Sequence, residues 1–414
     1  MVTPEKTLGP DFTKVWSASL LTNLSDGVLK LAAPLLAVTL TQNPILISLL
    51  SALALLPWLL FAIPIGAYVD RVDRKKALVQ GNLVRSIAGM ALSFAIWRDV
   101  VSIWVLLVLV FIIGMCEVLV DTTSQSVLPQ ILDKSHYERG NSRLQISEVI
   151  IAQFIGSPLS GFLYAIAIGL PFLFSTAGFT FAAIFLSVIT FHKQINVSRI
   201  DGENVKTGGL REDIVFAVKF ILGHEAIRTI VLITTSIGFF YSFSTAIAPL
   251  FILNELNVKP SFFGVIFAVE GVGALLGSAL TPRISQRVGR GRALGLSLAF
   301  SASTVIGMGV SPNVYAFMGA SVLMGFTISI WTILIVSVYQ TLIPAHLFGR
   351  IHGARRTLVW GLMPIGSILG GIVATLGLRF PFVIGGCIAT MIAIASYRLV
   401  EQIGNQTMEW SDSH

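Results

Sequence analysis

The chain of 414 residues is 54% hydrophobic and only 12% charged, and its mean hydropathy is +0.83. Because soluble domains carry about 25% charged residues, this composition excludes an ordinary water-soluble globule and favours a protein that folds in lipid. The net charge of +7 would suit a nucleic-acid partner, but the basic residues cluster in short loops between apolar stretches. We therefore predict no nucleic-acid partner and interpret the charge as a signal of membrane topology.

Apolar stretches of about 20 residues, the length that crosses a hydrocarbon core as a helix, recur along the whole chain. They predict an all-α membrane protein with twelve transmembrane helices. The predicted spans of the first half are 15–40, 45–69, 77–97, 100–127, 143–166 and 170–191. Those of the second half are 227–253, 261–282, 293–311, 314–341, 354–376 and 380–400.

Basic residues mark every second loop between these spans. One set of loops holds Arg71, Arg74, Lys75, Lys76, Lys134, Arg139, Arg143, Arg283, Arg287, Arg290, Arg292, Arg350, Arg355 and Arg356. The opposite loops hold only Arg98, Lys259 and Arg379. By the positive-inside rule, the first set and both termini are cytoplasmic. We expect an integral protein of a bacterial-type inner membrane.

A polar segment divides the chain near its middle. Residues 192–226 contain a flexible Gly- and Asp-bearing stretch and then apolar residues at helical spacing, namely Ile214, Phe216, Ala217, Phe220 and Ile221. This pattern predicts an amphipathic helix on the cytoplasmic face. The predicted domains are a six-helix bundle over 1–192, a cytoplasmic linker over 193–226 and a second six-helix bundle over 227–414.

Three sequence patterns recur about half a chain length apart. The matched pairs are Arg71–Arg74 with Arg287–Arg290, Leu128-Pro129 with Ile343-Pro344, and Gly156–Gly161 with Gly366–Gly371. They predict a duplicated six-helix unit, which is typical of secondary transporters.

The strongest local motif is GAYVDRVDRKK at residues 66–76. It resembles the loop signature Gly-x-x-x-Asp-Arg-x-Gly-Arg-Arg of the major facilitator superfamily, with Asp73 at the place of the second glycine. That variant is similar to the branch of drug, macrolide and siderophore exporters, as are residues 23–27, 349–353 and 360–366. The resemblance implies the major facilitator fold of two pseudo-symmetric bundles, function as a monomer, and a small-molecule substrate exchanged for protons.

The resemblance also implies a cytoplasmic gate. In the family, the motif aspartate, its second arginine and an acid of the fourth span form a charge cluster that holds the outward-open state. Here these residues are Asp70, Arg74 and Asp121, and the motif is completed by Gly66 and Arg71. The alternative is that the basic residues only obey the positive-inside rule.

The fifth predicted span carries Gly156, Pro158 and Gly161, in partial resemblance to the Gly-Pro-x-x-Gly-Gly motif of antiporters. Ser157 and Phe162 depart from that motif. Small residues also allow two helices to approach closely, so tight helix packing without any meaning for antiport is the alternative.

Ionisable residues within the spans are costly in lipid and therefore indicate function. The candidates for proton coupling are Asp26, Glu117 and Glu270, because a carboxyl group in a partly dry cavity can take and release a proton. Lys30, one turn after Asp26, and Arg85 are candidate charge partners. Glu148 is nearer the cytoplasmic end and is interpreted as structural. A static buried ion network is the alternative.

Aromatic residues in the seventh and tenth spans are candidates for a substrate cavity. They include Phe240, Tyr241 and Trp331, and the resemblance implies that these two spans line a central cavity together with the first and fourth. The alternative is that these rings face lipid or neighbouring helices.

No nucleotide-binding loop, metal-ligand spacing or catalytic triad is evident in the sequence, so we predict neither an enzyme nor a cofactor. The preferred function is proton-coupled efflux of a small amphiphilic molecule by alternating access. Substrate uptake by proton symport and a non-transporting membrane receptor are the alternatives.

Overall fold

The structure is a computed structural model that describes residues 9–69, 72–132, 140, 143–144, 147–188, 210–343 and 347–412. Within these ranges the chain is helical, and no strand is found there. The first helices are α1 Pro10–Leu40, α2 Pro44–Val69, α3 Arg74–Trp97, α4 Ile103–Ile131, α5 Ser157–Ile166 and α6 Leu170–Val188. Helix α5 continues a π-helical stretch at Ser147–Gly156. The later helices are α7 Leu210–Gly223, α8 Glu225–Thr245, α9 Pro260–Val288, α10 Arg290–Gly309, α11 Val314–Leu342, α12 Phe348–Gly361, α13 Met363–Ala374 and α14 Phe380–Asp412.

Local sequence signals explain where several helices begin and end. Asp73 caps α3, because its carboxylate accepts hydrogen bonds from the backbone N–H groups of Lys75 at 2.9 Å and Lys76 at 3.2 Å. Asn313 caps α11 in the same way, through the N–H of Ala316 at 3.0 Å. Gly289 separates α9 from α10 with a φ of 92°, a left-handed conformation that favours glycine.

Within the described residues, each predicted span coincides with one or more helices, and the span 227–253 continues from α8 through the short helix Ala248–Leu250 into a π-helical stretch at Phe251–Glu255. Nine helices in the described ranges are long and apolar enough to cross a membrane. The other three predicted spans are helical too, as α3, α10 and the Ser147–Ile166 segment, but they do not meet that measure. The count of twelve transmembrane helices stays a prediction.

The chain forms two compact units. The first unit comprises Met1–Ala33 and Leu60–Thr207, and the second comprises Pro34–Leu59 and Gly208–His414. The hairpin that joins α1 to α2 therefore packs with the second unit, although it precedes most of the first unit in sequence. The predicted domain boundaries within 193–226 stay a prediction.

The first unit is held together by closely packed helices. Its core includes Val15, Ala18, Leu78, Val120, Val127 and Leu186, contributed by α1, α3, α4 and α6. Where α1 crosses the π-helical stretch, a Cβ added to Gly27 would lie 2.2 Å from the carbonyl oxygen of Ala152. Only glycine lets the two backbones approach so closely.

The second unit has a larger apolar core. Trp331, Leu334, Ile335 and Val338 of α11 are buried in it together with residues of α8, α10 and α14. The predicted amphipathic helix is present as α7, and its Ala217 and Ile221 are buried in the same core. Its position on the cytoplasmic face stays a prediction.

Candidate functional site

The predicted gate lies only partly within the described residues. Asp70 and Arg71 lie outside them. Gly66 is near the end of α2, Arg74 is the first residue of α3, and Asp121 is on α4. The role of these residues as a gate stays a prediction.

A buried ion pair connects α1 and α3 in the first unit. Arg85 is completely buried, and one of its guanidinium nitrogens contacts a carboxylate oxygen of Asp26. The guanidinium carbon lies 4.1 Å from the ring centroid of Phe179 on α6, within the range of a cation–π interaction. Two helices and an aromatic ring thus enclose one positive charge, which has a carboxylate as its counter-ion.

A second ion pair lies beside the first. The ammonium group of Lys30 on α1 is 2.9 Å from a carboxylate oxygen of Glu117 on α4. The Glu117 side chain is largely buried, whereas that of Lys30 is largely exposed. Glu117 and Asp121 both interact electrostatically with Arg85. We call Asp26, Lys30, Arg85, Glu117 and Asp121 the first-unit charge cluster.

The charge cluster combines three carboxyl groups, of Asp26, Glu117 and Asp121, with the cationic side chains of Lys30 and Arg85. A carboxyl group can exist with or without a proton, so a change of protonation here would change the attraction between α1, α3 and α4. The role of these residues in proton coupling stays a prediction.

A cavity of about 420 Å³ lies among α8 to α14 in the second unit. Four residues singled out in the sequence line it, and they are Phe240, Tyr241, Glu270 and Trp331. The remaining walls are mostly apolar and include Met324 and Met363, with the hydroxyl groups of Thr234, Ser301 and Thr332.

Sequence reasoning missed two residues of this cavity. Arg355, which was assigned to a loop, lies on α12, and its guanidinium carbon is 4.3 Å from the ring centroid of Tyr339. Trp360 also lines the cavity, and its ring packs edge-on against Trp58 with 6.3 Å between centroids. The available signal for Arg355 was its position inside the predicted span 354–376, where a charge is unusual.

The cavity brings together one carboxyl group, of Glu270, and one cationic side chain, of Arg355. Glu270 has no ion-pair partner among the residues that the structure describes, and Arg355 packs on an aromatic ring. An apolar, aromatic enclosure with few polar groups suits an amphiphilic ligand whose polar groups meet the charged side chains. In the described ranges, no cluster of three or more His, Cys, Asp and Glu residues is arranged to hold a metal ion.

The small residues of the fifth predicted span take part in helix packing. A Cβ on Gly156 would lie 2.9 Å from the Cα of Gly27, and the hydroxyl of Ser160 donates to the carbonyl of Val28 at 2.7 Å. Pro158 is in the first turn of α5, and Gly161 is buried. Glu148 lies on the π-helical stretch, but its side chain is outside the described part of the structure.

Comparison with known protein families identifies the chain. A family model described as transmembrane secretion effector, within the major facilitator superfamily, matches residues 8–412. The chain belongs to this family. It is therefore an integral membrane transporter of the major facilitator superfamily, as the motif at residues 66–76 predicted.

The chain is also similar to curated proteins that are named as efflux proteins. It is 21% identical to macrolide efflux protein A of Streptococcus pyogenes over 394 residues, which covers 92% of this chain and 94% of the relative. It is 24% identical to the multidrug efflux pump Tap of Mycolicibacterium fortuitum over 402 residues, which covers 91% of this chain and 94% of the relative.

Solved transporter structures share the fold of this chain. A bacterial homologue of the human lysosomal transporter Spinster, in an inward-facing, unoccupied conformation, matches with a TM-score of 0.72 and 14% identity, covering 98% of this chain and 99% of the other. A D-xylose–proton symporter matches with a TM-score of 0.70 and 13% identity, covering 92% of this chain and 95% of the symporter. The fold therefore occurs in a symporter as well.

Proposed function

We propose that this chain exports a small amphiphilic molecule in exchange for protons, by alternating access across a bacterial-type inner membrane. The observation that carries the proposal is the cavity of the second unit, where Glu270 lies among aromatic walls without an ion-pair partner in the described residues. The names of the curated relatives, macrolide efflux and multidrug efflux, support export rather than uptake.

The cavity supplies the contacts that such a substrate requires. Phe240, Tyr241 and Trp331 offer apolar and aromatic surface to its hydrophobic body. A cationic group on the substrate would be attracted both by the carboxylate of Glu270 and by the ring faces. Protonation of Glu270 would remove that attraction, so a proton and a cationic substrate would compete for the same carboxylate.

The first-unit charge cluster supplies a second place for a coupling proton. Glu117 is the candidate proton acceptor of this cluster, because its partner, Lys30, is largely exposed. Asp26 is held by the completely buried Arg85, so its proton exchange would require that pair to separate. We therefore rank Glu117 ahead of Asp26 as the coupling group of this cluster.

Alternating access requires contacts that form in one state and break in another. The hairpin between α1 and α2 makes such contacts within the second unit. The amide of Gln42 is hydrogen-bonded to that of Asn254, and the hydroxyl of Ser51 donates to the carbonyl of Ala246 at 3.1 Å. These polar contacts are few and small, so they suit an interface that opens during transport. The gate at Asp70, Arg74 and Asp121 would stabilise the opposite state.

In this proposal both termini are cytoplasmic, and the monomer is the working unit.

Uptake by proton symport remains the second candidate, because the D-xylose–proton symporter has the same fold. The two functions differ in the direction of substrate movement when a proton gradient is applied. Export lowers the amount of substrate inside cells, whereas symport raises it.

The direct test is substrate accumulation in cells that lack their main exporters and express this chain. A panel of macrolides, cationic dyes and neutral amphiphiles would be followed with and without a protonophore. We expect lower accumulation of at least one compound, lost with the protonophore and lost with Glu270→Gln. The matched control is Glu225→Gln, which changes an exposed acid at the start of α8 and should leave export unchanged. Higher accumulation than in control cells would instead establish uptake.

A further inference from the structure

An apolar groove of about 500 Å³ opens on the surface of the first unit, away from the charge cluster. It lies between the end of α3 and the turn that leads into α6, and its lining includes Met90, Phe94, Trp97, Ala167, Gly169 and Leu173. Two lining side chains carry polar groups: the hydroxyl of Ser93, which already donates to the carbonyl of Gly89 at 2.9 Å, and the indole N–H of Trp97 at one end. The groove therefore offers its occupant mostly apolar contact, with an indole donor at the Trp97 end.

One end of the groove carries an aromatic ring and a positive charge. Trp97 is 76% exposed, and the guanidinium carbon of Arg98 lies 6.0 Å from the centroid of the Trp97 ring. The backbone of Arg98 is fixed, because its N–H donates to the carbonyl of Phe94 at 2.9 Å, and Asp99 then ends α3 with a φ of 55°. No ion pair of Arg98 is found within the described ranges.

These two features match the two parts of an anionic phospholipid. In an integral membrane protein, an exposed apolar groove meets lipid, and a Trp beside an Arg at a helix end is typical of the membrane–water interface. An arginine forms paired hydrogen bonds with a phosphate group, and a basic residue near the surface favours anionic lipids. A soluble peptide or protein partner would need several polar groups in the groove, and beyond the engaged Ser93 hydroxyl the lining side chains offer only the indole N–H of Trp97.

We propose that this groove binds one anionic phospholipid, with an acyl chain along Met90, Phe94 and Leu173 and the phosphate at Arg98. The site is separate from the proposed substrate cavity, because it belongs to the first unit and shares no residue with the cavity of the second unit. It also does not depend on the proposed direction of transport. By the loop charges, this end of α3 is the predicted non-cytoplasmic side.

The test is native mass spectrometry of the purified full-length protein with phosphatidylglycerol and phosphatidylcholine of identical acyl chains. The wild type should retain phosphatidylglycerol in preference to phosphatidylcholine. Arg98→Gln should weaken phosphatidylglycerol binding about fivefold, the value of one basic residue near a lipid headgroup, and weaken phosphatidylcholine binding less, because the choline of that lipid already balances its phosphate charge. Arg98→Lys should keep the preference.

A second variant tests the acyl part of the site. A Cβ on Gly169 would lie 3.7 Å from a methyl group of Ile96, an ordinary contact, so Gly169→Leu can fill the groove without a backbone clash. It should reduce the retention of both lipids. Thermal unfolding would confirm that each variant is folded, and Lys259→Gln, which removes another predicted non-cytoplasmic cation, should bind both lipids as the wild type does.

Three results would overturn the proposal, and two of them concern the variants. One is an unchanged lipid preference in Arg98→Gln, and the other is wild-type retention of both lipids in folded Gly169→Leu. Displacement of phosphatidylglycerol by inorganic phosphate alone would also overturn it, since the site would then be an anion site that does not need the groove. Loss of transport activity in the Glu270 variant would leave all these lipid results unaffected.

Discussion

Arg85 carries a full positive charge with no exposed surface, in contact with Asp26 and over the ring of Phe179. Burial of either charge alone is costly, whereas the pair with its aromatic neighbour is tolerated. Residues of this kind fix the rotation of their helices, because any rotation that separated the pair would leave a charge in an apolar environment.

We predict that Arg85→Ala lowers stability by about 3–5 kcal/mol, because it leaves Asp26 without its counter-ion. The measurement is the thermal unfolding midpoint of the purified protein in detergent. Arg85→Ala combined with Asp26→Ala should recover part of the loss. The control is Arg292→Ala, whose exposed pair with Glu401 at 3.1 Å should contribute only about 0–1 kcal/mol. Equal losses from the two arginine variants would contradict this account.

Glu117 permits a test that separates coupling from substrate binding. Glu117→Gln should reduce efflux driven by a pH gradient at least about tenfold, since an amide at this position cannot take up or release a proton. Substrate binding without a gradient should be unchanged, because Glu117 does not line the cavity of the second unit. Dye binding and gradient-driven dye movement in proteoliposomes provide the two readouts. A matched fall in both would show that Glu117 acts on binding instead.

Close helix crossings depend on glycines at particular places in each element. A Cβ on Gly27 would lie 2.2 Å from the backbone of Ala152, whereas a Cβ on Gly319 would meet nothing within 4 Å. We predict that Gly27→Ala destabilises the protein by about 1–3 kcal/mol through overpacking. Gly319→Ala should be neutral or stabilising by up to about 1 kcal/mol, because alanine is the better helix former. Unfolding midpoints of the two variants decide this, and equal shifts would refute the close crossing.

The positions of the helices could be predicted from the sequence because long apolar runs must form helices in lipid. The motif at residues 66–76 predicted the superfamily in the same way, from a local pattern. Other features of single elements escaped prediction. The π-helical stretch at Ser147–Gly156 has no signal in hydropathy that distinguishes it from an ordinary helix. The break at Leu362 between α12 and α13 is marked by Gly361 and Pro364 rather than by hydropathy.

The partners of the charged residues were less predictable than the helices. The sequence placed Asp26 and Lys30 on one face of a helix, and the structure pairs Asp26 with Arg85 and Lys30 with Glu117. Such pairs depend on the tilt and rotation of three helices, which a single sequence does not specify. The cavity of the second unit likewise joins residues from several helices, so Arg355 emerged only in three dimensions.

For the whole molecule, the proposed alternating access has the hairpin between α1 and α2 separate from the rest of the second unit once per cycle. In a variant with Cys116 and Cys387 replaced by serine, we predict that a short bis-methanethiosulfonate cross-linker joins Gln42→Cys to Asn254→Cys and stops transport. The Gln42 and Asn254 side chains are hydrogen-bonded in this structure, so a short cross-linker can span their replacements. Reduction should restore transport, and each single cysteine variant is the control. Full transport by the cross-linked protein would contradict the proposed opening.

The central claim is that substrate and protons move in opposite directions through a cycle that uses the cavity around Glu270. The most direct measurement is proton movement in proteoliposomes that contain a pH-sensitive dye, recorded after addition of a substrate identified in cells. The account predicts a proton flux opposite to the substrate flux, lost in Glu270→Gln and kept in Glu225→Gln. Proton flux in the same direction as the substrate, or an unchanged flux in Glu270→Gln, would contradict it.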